Sequence, residues 1–422
     1  MATRYFLGAA PAVAQVGTFT VTAYDAATTY AITINGVSVS TLGTGGTTTT
    51  TATALTTAFN ASTHPYFAAI TATSAAAVIT LTADTAGFPF TATSSETGGT
   101  GTIGDYAAVT ASSGPYDWST AANWSAATVP VNSDDVILQG IATPIYFGLD
   151  QSAVSLATLR KHKSYTGNVG LPWGKFLQSA TDTSEAFSSL AREYRTDYLK
   201  VGSTIIDLEI HPQEEGSFGS NRFKLDGGTV ASTINIHDSS RTGADAGLPA
   251  IRLKCVHAST DIFVRRAPGG VGIACDVPGE VSTVRKIGVS DVAEDTWVTT
   301  GLGTTLTTWE SDGGRNQLRA VNGTITTVTV RGGNTETIGN YSISTFNLYG
   351  GLVRANNLAT SSGNILFTTS NIYDGILDYG ESNEARVVTT TNRFGGTIKG
   401  AGTPITHTTL NLNGRWQIAE RV

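Results

Sequence analysis

The chain has 422 residues, which is enough for a large buried core and for more than one domain. Charged residues make up 14% of the chain, and the formal net charge is −7, from 26 basic and 33 acidic residues. This balance excludes a general electrostatic attraction to nucleic acid or to an anionic membrane surface. No stretch approaches the ~20 consecutive apolar residues of a membrane span. The abundance of Thr, Val, Ile and Gly is typical of strands and turns.

The basic residues are unevenly distributed along the chain. Arg4 is the only Lys or Arg before Arg160, so the other 25 of the 26 lie from Arg160 onward. This asymmetry predicts at least two modules. The first residues, MATRYFLGAAPAVAQ, contain an apolar run that Gly8 and Pro11 interrupt. We therefore expect no cleaved export signal and synthesis in a cytoplasm.

The first elements predicted after this start are strands. GTFTVTAYD (17–25) alternates apolar and polar residues. TYAITINGVSVSTL (29–42) reads as two strands joined at Asn35-Gly36. Asn-Gly between alternating residues is a strong signal for a hairpin, because both turn positions need a positive φ.

The next stretch predicts one helix followed by two strands. Residues 49–62 change to a helical period, which is carried by Leu55, Ala58 and Phe59. Residues 66–74 and 77–87 then return to the period of two that is typical of strands.

The pieces YAITINGVSVS, ATALTTAFNA, FAAITAT and VITLTADTAGFPFT resemble a small domain that is common in bacteriophage tail and virion proteins. The resemblance implies an N-terminal arm at 1–14 and a small α+β domain of the ββ-β-α-ββ type at 15–112. It also implies that this domain docks onto another virion protein. The alternative is a small α+β module of the kind found in secreted proteins.

A junction is expected at 113–200. Residues 96–115 are rich in Gly, Ser and Thr and predict a linker. Trp118 and Trp124 follow, and we interpret them as a plug over the first turn of a repeat region, with a carbohydrate-stacking platform as the alternative. Residues 181–202 are compatible with a short helix or with a loop docked on that region; the helix would be capped by Ser184 and would carry Phe187, Leu190 and Tyr194.

One short sequence motif, a strand-like segment that ends in a glycine turn, recurs in the second half of the chain. STFNLYGGLVR (344–354) is the clearest copy, and the second glycines of the copies are Gly228, Gly333, Gly351, Gly375 and Gly396. Successive differences between these positions are 105, 18, 24 and 21, and a shorter version of the phrase ends at Gly414. Because 105 is 5 × 21, we interpret the period as about 20 and predict stacked β-coils over 201–422. The glycines would then lie at one corner, where the backbone needs a φ that other residues avoid.

A second pair of similar segments also predicts stacked coils. Residues 234–240 and 254–260 align over a shift of 20, which predicts His237 above His257 and Asn235 above Cys255. The same shift applied to Cys255 leads to Cys275. Two adjacent reduced thiols are the preferred interpretation for the cysteines, and a disulfide is the alternative.

Ionisable residues provide few candidates for chemistry. Asp207 with Glu209 could form a carboxylate pair, since residues two apart on a strand share a face. A second candidate group consists of Asp374, Asp378 and Glu381. His237 and His257 near Asp238 are a weak metal candidate, and a polar ladder is the simpler interpretation. Alternating charges on a solvent face explain the carboxylates equally well. We therefore predict no catalytic, metal-binding or cofactor-binding residues and no cofactor.

Taken at the level of fold, these repeats and the two tryptophans before them resemble the β-helical fibres, spikes and capsid decoration proteins of tailed bacteriophages. The resemblance implies a mainly β chain in which the small domain precedes a right-handed parallel β-helix. It implies a non-enzymatic virion structural protein, a homotrimer, and contacts with capsid or tail proteins. Host-surface polysaccharide is a further candidate partner. Two alternatives remain open: a tailspike polysaccharide depolymerase with paired carboxylates, and a bacterial surface adhesin.

Overall fold

A computed structural model shows that the chain is mainly β. The structure describes residues 1–177, 191–210, 223–239, 249–275, 280–290, 296–301, 303–356, 366–379, 386–400 and 405–413. The part before residue 130 contains β1 (Thr3–Tyr5), β2 (Val16–Ala23), β3 (Thr29–Ile34), β4 (Val37–Leu42), α1 (Thr48–Ala61), α2 (Pro65–Ala68), β5 (Ile70–Ala75), β6 (Val78–Ala83), β7 (Ala92–Thr97), β8 (Thr102–Ile103), β9 (Ala107–Thr110) and the 3₁₀ turns Ala121–Asn123 and Ser125–Ala127.

The remaining elements are all strands. They are β10 (Asp135–Leu138), β11 (Asp150–Lys161), β12 (Leu171–Leu177), β13 (Ala191–Asp197), β14 (Leu199–Glu209), β15 (Phe223–Asp226), β16 (Thr233–Asp238), β17 (Ile251–Lys254), β18 (Asp261–Val264), β19 (Val271–Ile273), β20 (Val281–Val289), β21 (Trp297–Thr300), β22 (Gly303–Ser311), β23 (Arg315–Val330), β24 (Asn334–Leu348), β25 (Leu352–Asn356), β26 (Leu366–Ile372), β27 (Ile376–Asp378), β28 (Arg386–Arg393), β29 (Thr397–Lys399) and β30 (Ile405–Leu412).

Residues 16–110 form two antiparallel sheets around α1. One sheet has the order β5-β6-β2-β8 with β9 also on β2, and the other has the order β4-β3-β7. Their apolar side chains form a cluster of their own, in which Leu55 and Phe59 of α1 are fully buried. Thr47 caps α1, because its hydroxyl accepts a hydrogen bond from the Thr50 amide. The helix and its buried face agree with the sequence prediction.

The predicted hairpin is confirmed. Asn35 and Gly36 join β3 to β4 with φ values of 49° and 88°, as a tight turn of this type requires. Two other expectations need correction. Residues 66–74 do not form one strand, because Pro65 starts the short helix α2 before β5 begins. The expected linker at 96–115 contains the end of β7 and all of β8 and β9.

Twenty strands form one sheet with parallel pairing throughout. Successive strands of the chain lie alternately on two sides of the stack. Most strands therefore pair with the strand two elements earlier and the strand two elements later in the chain, as β16 does with β14 and β18. We call face A the rows that pass through β1, β10, β11, β14, β16, β18, β20, β22, the second halves of β23 and β24, β26, β28 and β30. Face B passes through β15, β17, β19, β21, the first halves of β23 and β24, β25, β27 and β29. This arrangement fits a parallel β-helix.

The stack begins earlier in the chain than residue 201. β1 lies within the expected N-terminal arm, yet it pairs with β10 and forms the first strand of the sheet. The Arg4 guanidinium donates to the largely buried Asp134 carboxylate at 3.1 Å, and the Ala2 amide donates to the same side chain. Residues 14–112 are therefore inserted between β1 and the later strands of the stack, and Val13 pairs with Ser113 where the insertion begins and ends.

Glycines stack at the corner between face A and face B. Gly333, Gly351, Gly375 and Gly396 all have φ between 67° and 85°. The carbonyl of each of the first three accepts a hydrogen bond from the next coil, as in the 2.8 Å bond from the Ile376 amide to Gly351. A Cβ on Gly375 would lie 2.7 Å from the Gly351 carbonyl oxygen. The predicted stacking of Gly351, Gly375 and Gly396 is confirmed.

Gly228 does not belong to this row. It follows β15 on face B, at the opposite corner, and nothing lies within 4 Å of a Cβ placed on it. The long interval from Gly228 to Gly333 therefore does not measure five equal coils. The coils differ in length: the register advances by 28 from Phe223 to Ile251 (251 − 223) and by 18 from Asn334 to Leu352 (352 − 334). Gly414 lies outside the described residues.

The predicted histidine ladder is also wrong. Asn235 pairs with Phe263, a shift of 28 rather than 20, so His237 is not stacked on His257. His257 instead follows β17, in the connection to the next strand of face A. The helix option for 181–202 fails where the structure describes that segment, since residues 191–197 form β13 and residues from 199 onward form β14. Ser184, Phe187 and Leu190 lie outside the described residues.

We expect Gly375→Ala to destabilise the stack much more than Gly228→Ala. Both glycines have a positive φ, which costs an L-residue roughly 1–2 kcal/mol. Only at Gly375 does the new Cβ also collide with backbone of the neighbouring coil. Chemical denaturation followed by circular dichroism should give a midpoint for Gly375→Ala well below that of Gly228→Ala. Equal midpoints would contradict the corner ladder.

Candidate functional site

The two tryptophans of the junction lie inside the stack. Trp118 and Trp124 are 0% and 1% exposed, and their ring centroids are 4.6 Å apart in an edge-to-face arrangement. The Trp124 Nε1 donates to the Trp118 carbonyl at 2.6 Å, and Phe6 packs on Trp124 beside β1. The pair thus fills the interior where the sheet begins, which agrees with the plug interpretation. A carbohydrate platform needs exposed ring faces, so that alternative is wrong.

Asp207 and Glu209 lie on the outer side of face A, as predicted. The inward-facing Leu208 between them is fully buried, and both carboxylates are partly exposed. Arg160 lies 3.4 Å and His237 3.7 Å from the Asp207 carboxylate. The Asn235 amide nitrogen donates to the same carboxylate at 2.9 Å.

Glu209 has its own basic neighbours. His162 lies 3.8 Å and Lys163 4.0 Å from its carboxylate. General acid catalysis needs a carboxyl held protonated in apolar surroundings beside a second, ionised carboxyl. Here both carboxylates have basic or amide side chains as neighbours within 4.0 Å. The arrangement is that of a charged solvent face.

The second carboxylate group is not assembled in the described structure. Asp374 lies in the corner turn, where its side chain accepts a 2.7 Å hydrogen bond from the Gly375 amide. Asp378 lies beyond that corner in β27, on face B. Glu381 lies outside the described residues. Asp374 therefore has a structural role in the turn.

The structure supports the predicted shift of 20 for the cysteines but not for the histidines. β17 pairs with β19 from Ile251↔Val271 to Leu253↔Ile273, and Cys255 and Cys275 each follow two residues after the last of these pairs. Cys255 is buried, and its thiol lies 3.5 Å from the Ser282 hydroxyl of the next coil. Cys275 is half-buried, and neither cysteine forms a disulfide. His237 lies by Asp207 rather than by His257. Within the described residues there is no group of three or more His, Cys, Asp or Glu side chains able to hold a metal ion.

Several ionisable residues form a buried group that the sequence pattern did not reveal. Tyr198, Lys224 and Arg252 are 8%, 0% and 1% exposed although they occupy the outer side of the stack. The Lys224 ammonium lies 5.9 Å from the Tyr198 ring centroid, and the Tyr198 hydroxyl donates to Glu280 at 3.4 Å. Burial, together with the nearby Glu280 and Cys275, raises the pKa of Tyr198 well above its usual value. A tyrosine in this state stays protonated and can donate a hydrogen bond, but it is a poor base.

A groove of about 250 Å³ borders this group. Its lining residues come from both parts of the chain and are Pro89, Tyr146, Phe147, Gly148, Leu149, Asp150, Asp197, Tyr198 and Lys200. Lys200 lies 3.7 Å from Asp150, and both side chains are at least half exposed. The groove is large enough for a small polar molecule.

The outer side of face A also carries rows of like residues. Asn347, Asn371, Asn392 and Asn411 are linked by amide-to-carbonyl hydrogen bonds of 2.8–2.9 Å between their side chains. At the corner, Tyr349 stacks on Tyr373 with centroids 4.5 Å apart, and Tyr373 stacks on Phe394 at 4.7 Å. The sequence contains a signal for this aromatic row, since an aromatic residue stands two positions before each of Gly351, Gly375 and Gly396. Both rows are periodic features of a surface and contain no reactive group.

No protein-family model matches the sequence, and no curated protein matches it. In the described part of the chain, no helix is long and apolar enough to cross a membrane.

Lys161 lies on the inner side of β11, between Leu138 and Leu208 of the neighbouring coils. It is 1% exposed, and its ammonium donates to the Tyr165 carbonyl at 2.8 Å. Burial lowers its pKa to about 7, and the nearby Glu209 carboxylate opposes this effect in part. The unfolded chain keeps this proton up to about pH 10.4.

We expect this lysine to make the protein more stable as the pH rises from 7 to 8.5. In that window the unfolded state binds more protons than the folded state, so unfolding costs up to about 1.4 kcal/mol more per pH unit. Lys161→Met should remove this slope, whereas the exposed neighbour Lys163→Met should keep it. Urea denaturation at several pH values measures both. An unchanged slope in Lys161→Met would contradict the assignment.

The cysteines give a second solution test. Burial raises the pKa of the Cys255 thiol to about 11, so little reactive thiolate forms at pH 8. We expect Cys255 to resist a thiol reagent in the native protein and to react after unfolding. Titration of the unfolded, unreduced protein should then count two thiols, with Cys255→Ser as the control that counts one. A count of zero in the unmodified chain would indicate a disulfide instead.

Proposed function

We propose that the chain is a non-enzymatic structural protein of a tailed-bacteriophage virion, and that it presents a rigid β-helical column. The observation that carries the proposal is the long stack of parallel strands, whose corner glycines, amide groups and aromatic rings repeat from coil to coil. The proposal also draws on the resemblance to phage fibres, spikes and capsid decoration proteins.

The mechanism would be mechanical. Between the first and the last described coil, each strand of the stack is hydrogen-bonded to the coils before and after it. One apolar cluster runs through the interior from Phe6 to Val388. Bending such a column would break parallel ladders and open the core at the same point. Thirteen successive strands occur along face A, so at about 4.8 Å per coil the column would be roughly 60 Å long.

The finer architecture is part of the proposal. We infer that the coils wind in a right-handed sense, because parallel crossover connections are right-handed in the great majority of proteins. We also infer that residues 15–112 form the small docking domain expected from the sequence. Support comes from their separate apolar cluster and from the low charge of this segment. A surface with few charges suits a protein partner better than a charged ligand.

The outer surface favours presentation over catalysis. Asp207 and Glu209 were the strongest carboxylate candidates, and both have basic neighbours within 4.0 Å. Homotrimer formation, contacts with capsid or tail proteins, and location in the virion follow from the resemblance alone. The depolymerase and the surface adhesin remain the competing functions.

The docking role can be tested by excision. The amide of Val13 donates to the Ser113 carbonyl at 2.7 Å, so the two ends of the inserted segment lie side by side. Replacing residues 15–111 by a short Gly-Ser linker keeps β1, Phe6 and the tryptophan pair. We expect this variant to fold as a column and to be lost from virions, as electron microscopy and immunoblots of purified particles would show. A variant that still attaches would assign the anchor to the column itself.

A second experiment distinguishes presentation from depolymerisation. We expect Asp207→Asn, Glu209→Gln and Asp374→Asn to leave particle assembly and infectivity within about twofold of the unmodified phage, because these side chains make only surface pairs or turn contacts. Purified protein should not shorten host polysaccharide. A large loss of infectivity with normal folding and incorporation would instead support the depolymerase.

A further inference from the structure

The outer edge of β4 is an open strand edge of the inserted segment. β4 lies at one end of the β4-β3-β7 sheet and pairs with β3 over all six of its residues, from Val37 to Leu42. No described strand pairs with its other edge. The chain is described without a gap from residue 1 to residue 177, so the segments on both sides of β4 in the sequence are in place.

Backbone groups of alternate residues of β4 point away from β3. A two-residue turn makes Val37 a hydrogen-bonded partner of β3, and hydrogen-bonded and non-hydrogen-bonded pairs alternate along an antiparallel ladder. The N–H groups of Ser38, Ser40 and Leu42 therefore face outward. The hydroxyls of Thr33 and Ser38 lie 2.6 Å apart, as expected for a non-hydrogen-bonded pair, whose side chains are closer.

The other edges of the two sheets are closed by devices that β4 lacks. On β5, the Asn60 side chain accepts from the Ala72 amide and donates to the Ala72 carbonyl. β7 lies beside β8, since its Ser94 hydroxyl donates to the Gly104 carbonyl at 2.9 Å. β8 and β9 are short, with two and four residues. β4 reads VSVSTL and contains no charged residue, proline or bulge, so its edge remains able to pair with another strand.

The side chains of β4 suit an added strand. Val37 and Val39 are half-buried and pack against the apolar cluster of the inserted segment, so a strand beside them would complete their burial. On the opposite side of the sheet Ser38 and Ser40 are exposed, and Leu42 is 56% exposed. The edge therefore fits a strand with apolar residues at alternate positions.

Charge decides which strand fits this edge. Residues 14–112 contain no Lys or Arg and four carboxylates, which gives a formal charge of 0 − 4 = −4; the four are Asp25, Asp84, Glu96 and Asp105. Two copies paired through β4 would bring together two segments of the same sign. A strand flanked by Lys or Arg would instead be attracted. The charge thus favours a basic partner over a second copy of the chain.

We propose that β4 binds an extended segment of another protein, which adds to the β4-β3-β7 sheet as a fourth strand. The bound segment has apolar residues at alternate positions and Lys or Arg at its ends. Backbone hydrogen bonds to Ser38, Ser40 and Leu42 hold it, and contacts with Val37 and Val39 select its side chains. This inference rests on the docking role proposed for residues 15–112 and names how that domain docks.

Ser40→Pro tests the edge directly. Proline removes an N–H that faces outward and leaves the hydrogen bonds between β3 and β4 in place. We expect virions made with Ser40→Pro to carry about tenfold less of the protein than virions made with the matched Ser40→Ala, as immunoblots of purified particles would show. Circular dichroism and denaturation midpoints of the purified variants check that both fold. Normal incorporation of the folded Ser40→Pro chain would overturn the proposal.

The excision of residues 15–111 separates this inference from the docking role. If the excised chain is lost from virions while Ser40→Pro is retained, the docking role stands and strand addition at β4 is wrong. If the excised chain still attaches, the docking role fails and this inference fails with it.

Hydrogen exchange of the unmodified chain gives a readout that does not depend on a variant. We expect the amides of Ser38, Ser40 and Leu42 to exchange fast in the free protein and about tenfold more slowly in purified virions. Protection already present in the dilute free protein would show that the chain covers its own edge. Protection that rises with the concentration of the free protein would indicate a second copy. Either result would overturn the proposal.

Discussion

The structure depends on the parallel register between successive coils. A single coil cannot bury its inner face, so the core exists only because each strand lies directly beneath its equivalent in the next coil. That alignment puts Phe346, Ser370 and Thr391 in one inward row, and Asn347, Asn371 and Asn392 in one outward row. The asparagines then bond to each other because their side chains are held at the spacing of the strands. The same alignment brings the corner glycines into contact, so one constraint produces the core, the amide row and the corner.

The register between coils decides which charged side chains lie next to each other on the outer side of the stack. On the outer side of face A, successive coils bring Arg160 beside Asp207 and then Asn235 and His237 near the same carboxylate. Pairs of this kind contribute little each, because they are exposed and screened by salt. Lys161 is different, since its side chain points inward and burial lowers its pKa to about 7. Lys161 is thus a buried ionisable group of the stack that links stability to pH near neutrality.

Turns, helix α1 and the corner glycines could be predicted from the sequence more reliably than the register between coils. The hairpin at Asn35-Gly36, helix α1 and the glycines of the last coils follow from turn chemistry and short periods, and the structure agrees with all three. The histidine ladder failed because it assumed equal coils, whereas Asn235 pairs with Phe263 rather than with Cys255. Extra residues in a connection change the register shift between two coils but leave the apolar–polar alternation within each strand unchanged. The alternation therefore does not reveal how long each coil is. The buried group around Tyr198 was missed for the same reason, since its members come from coils of unequal length.

Unequal coils also explain why the surface is varied while the core is uniform. Strands must keep their register to preserve the ladder, so differences in length have to be taken up in the connections. The coil from Asn334 to Leu352 is short, and there one strand runs directly into a glycine corner. The coil from Phe223 to Ile251 is longer. In that part of the stack the charged residues Lys224 and Arg252 lie on the outer side, yet both are buried. If the protein presents a surface to a partner, these two regions present different chemistry: a periodic uncharged strip in the late coils, and a groove beside Tyr198 in the early ones. Variation in coil length along one continuous core is sufficient to produce both.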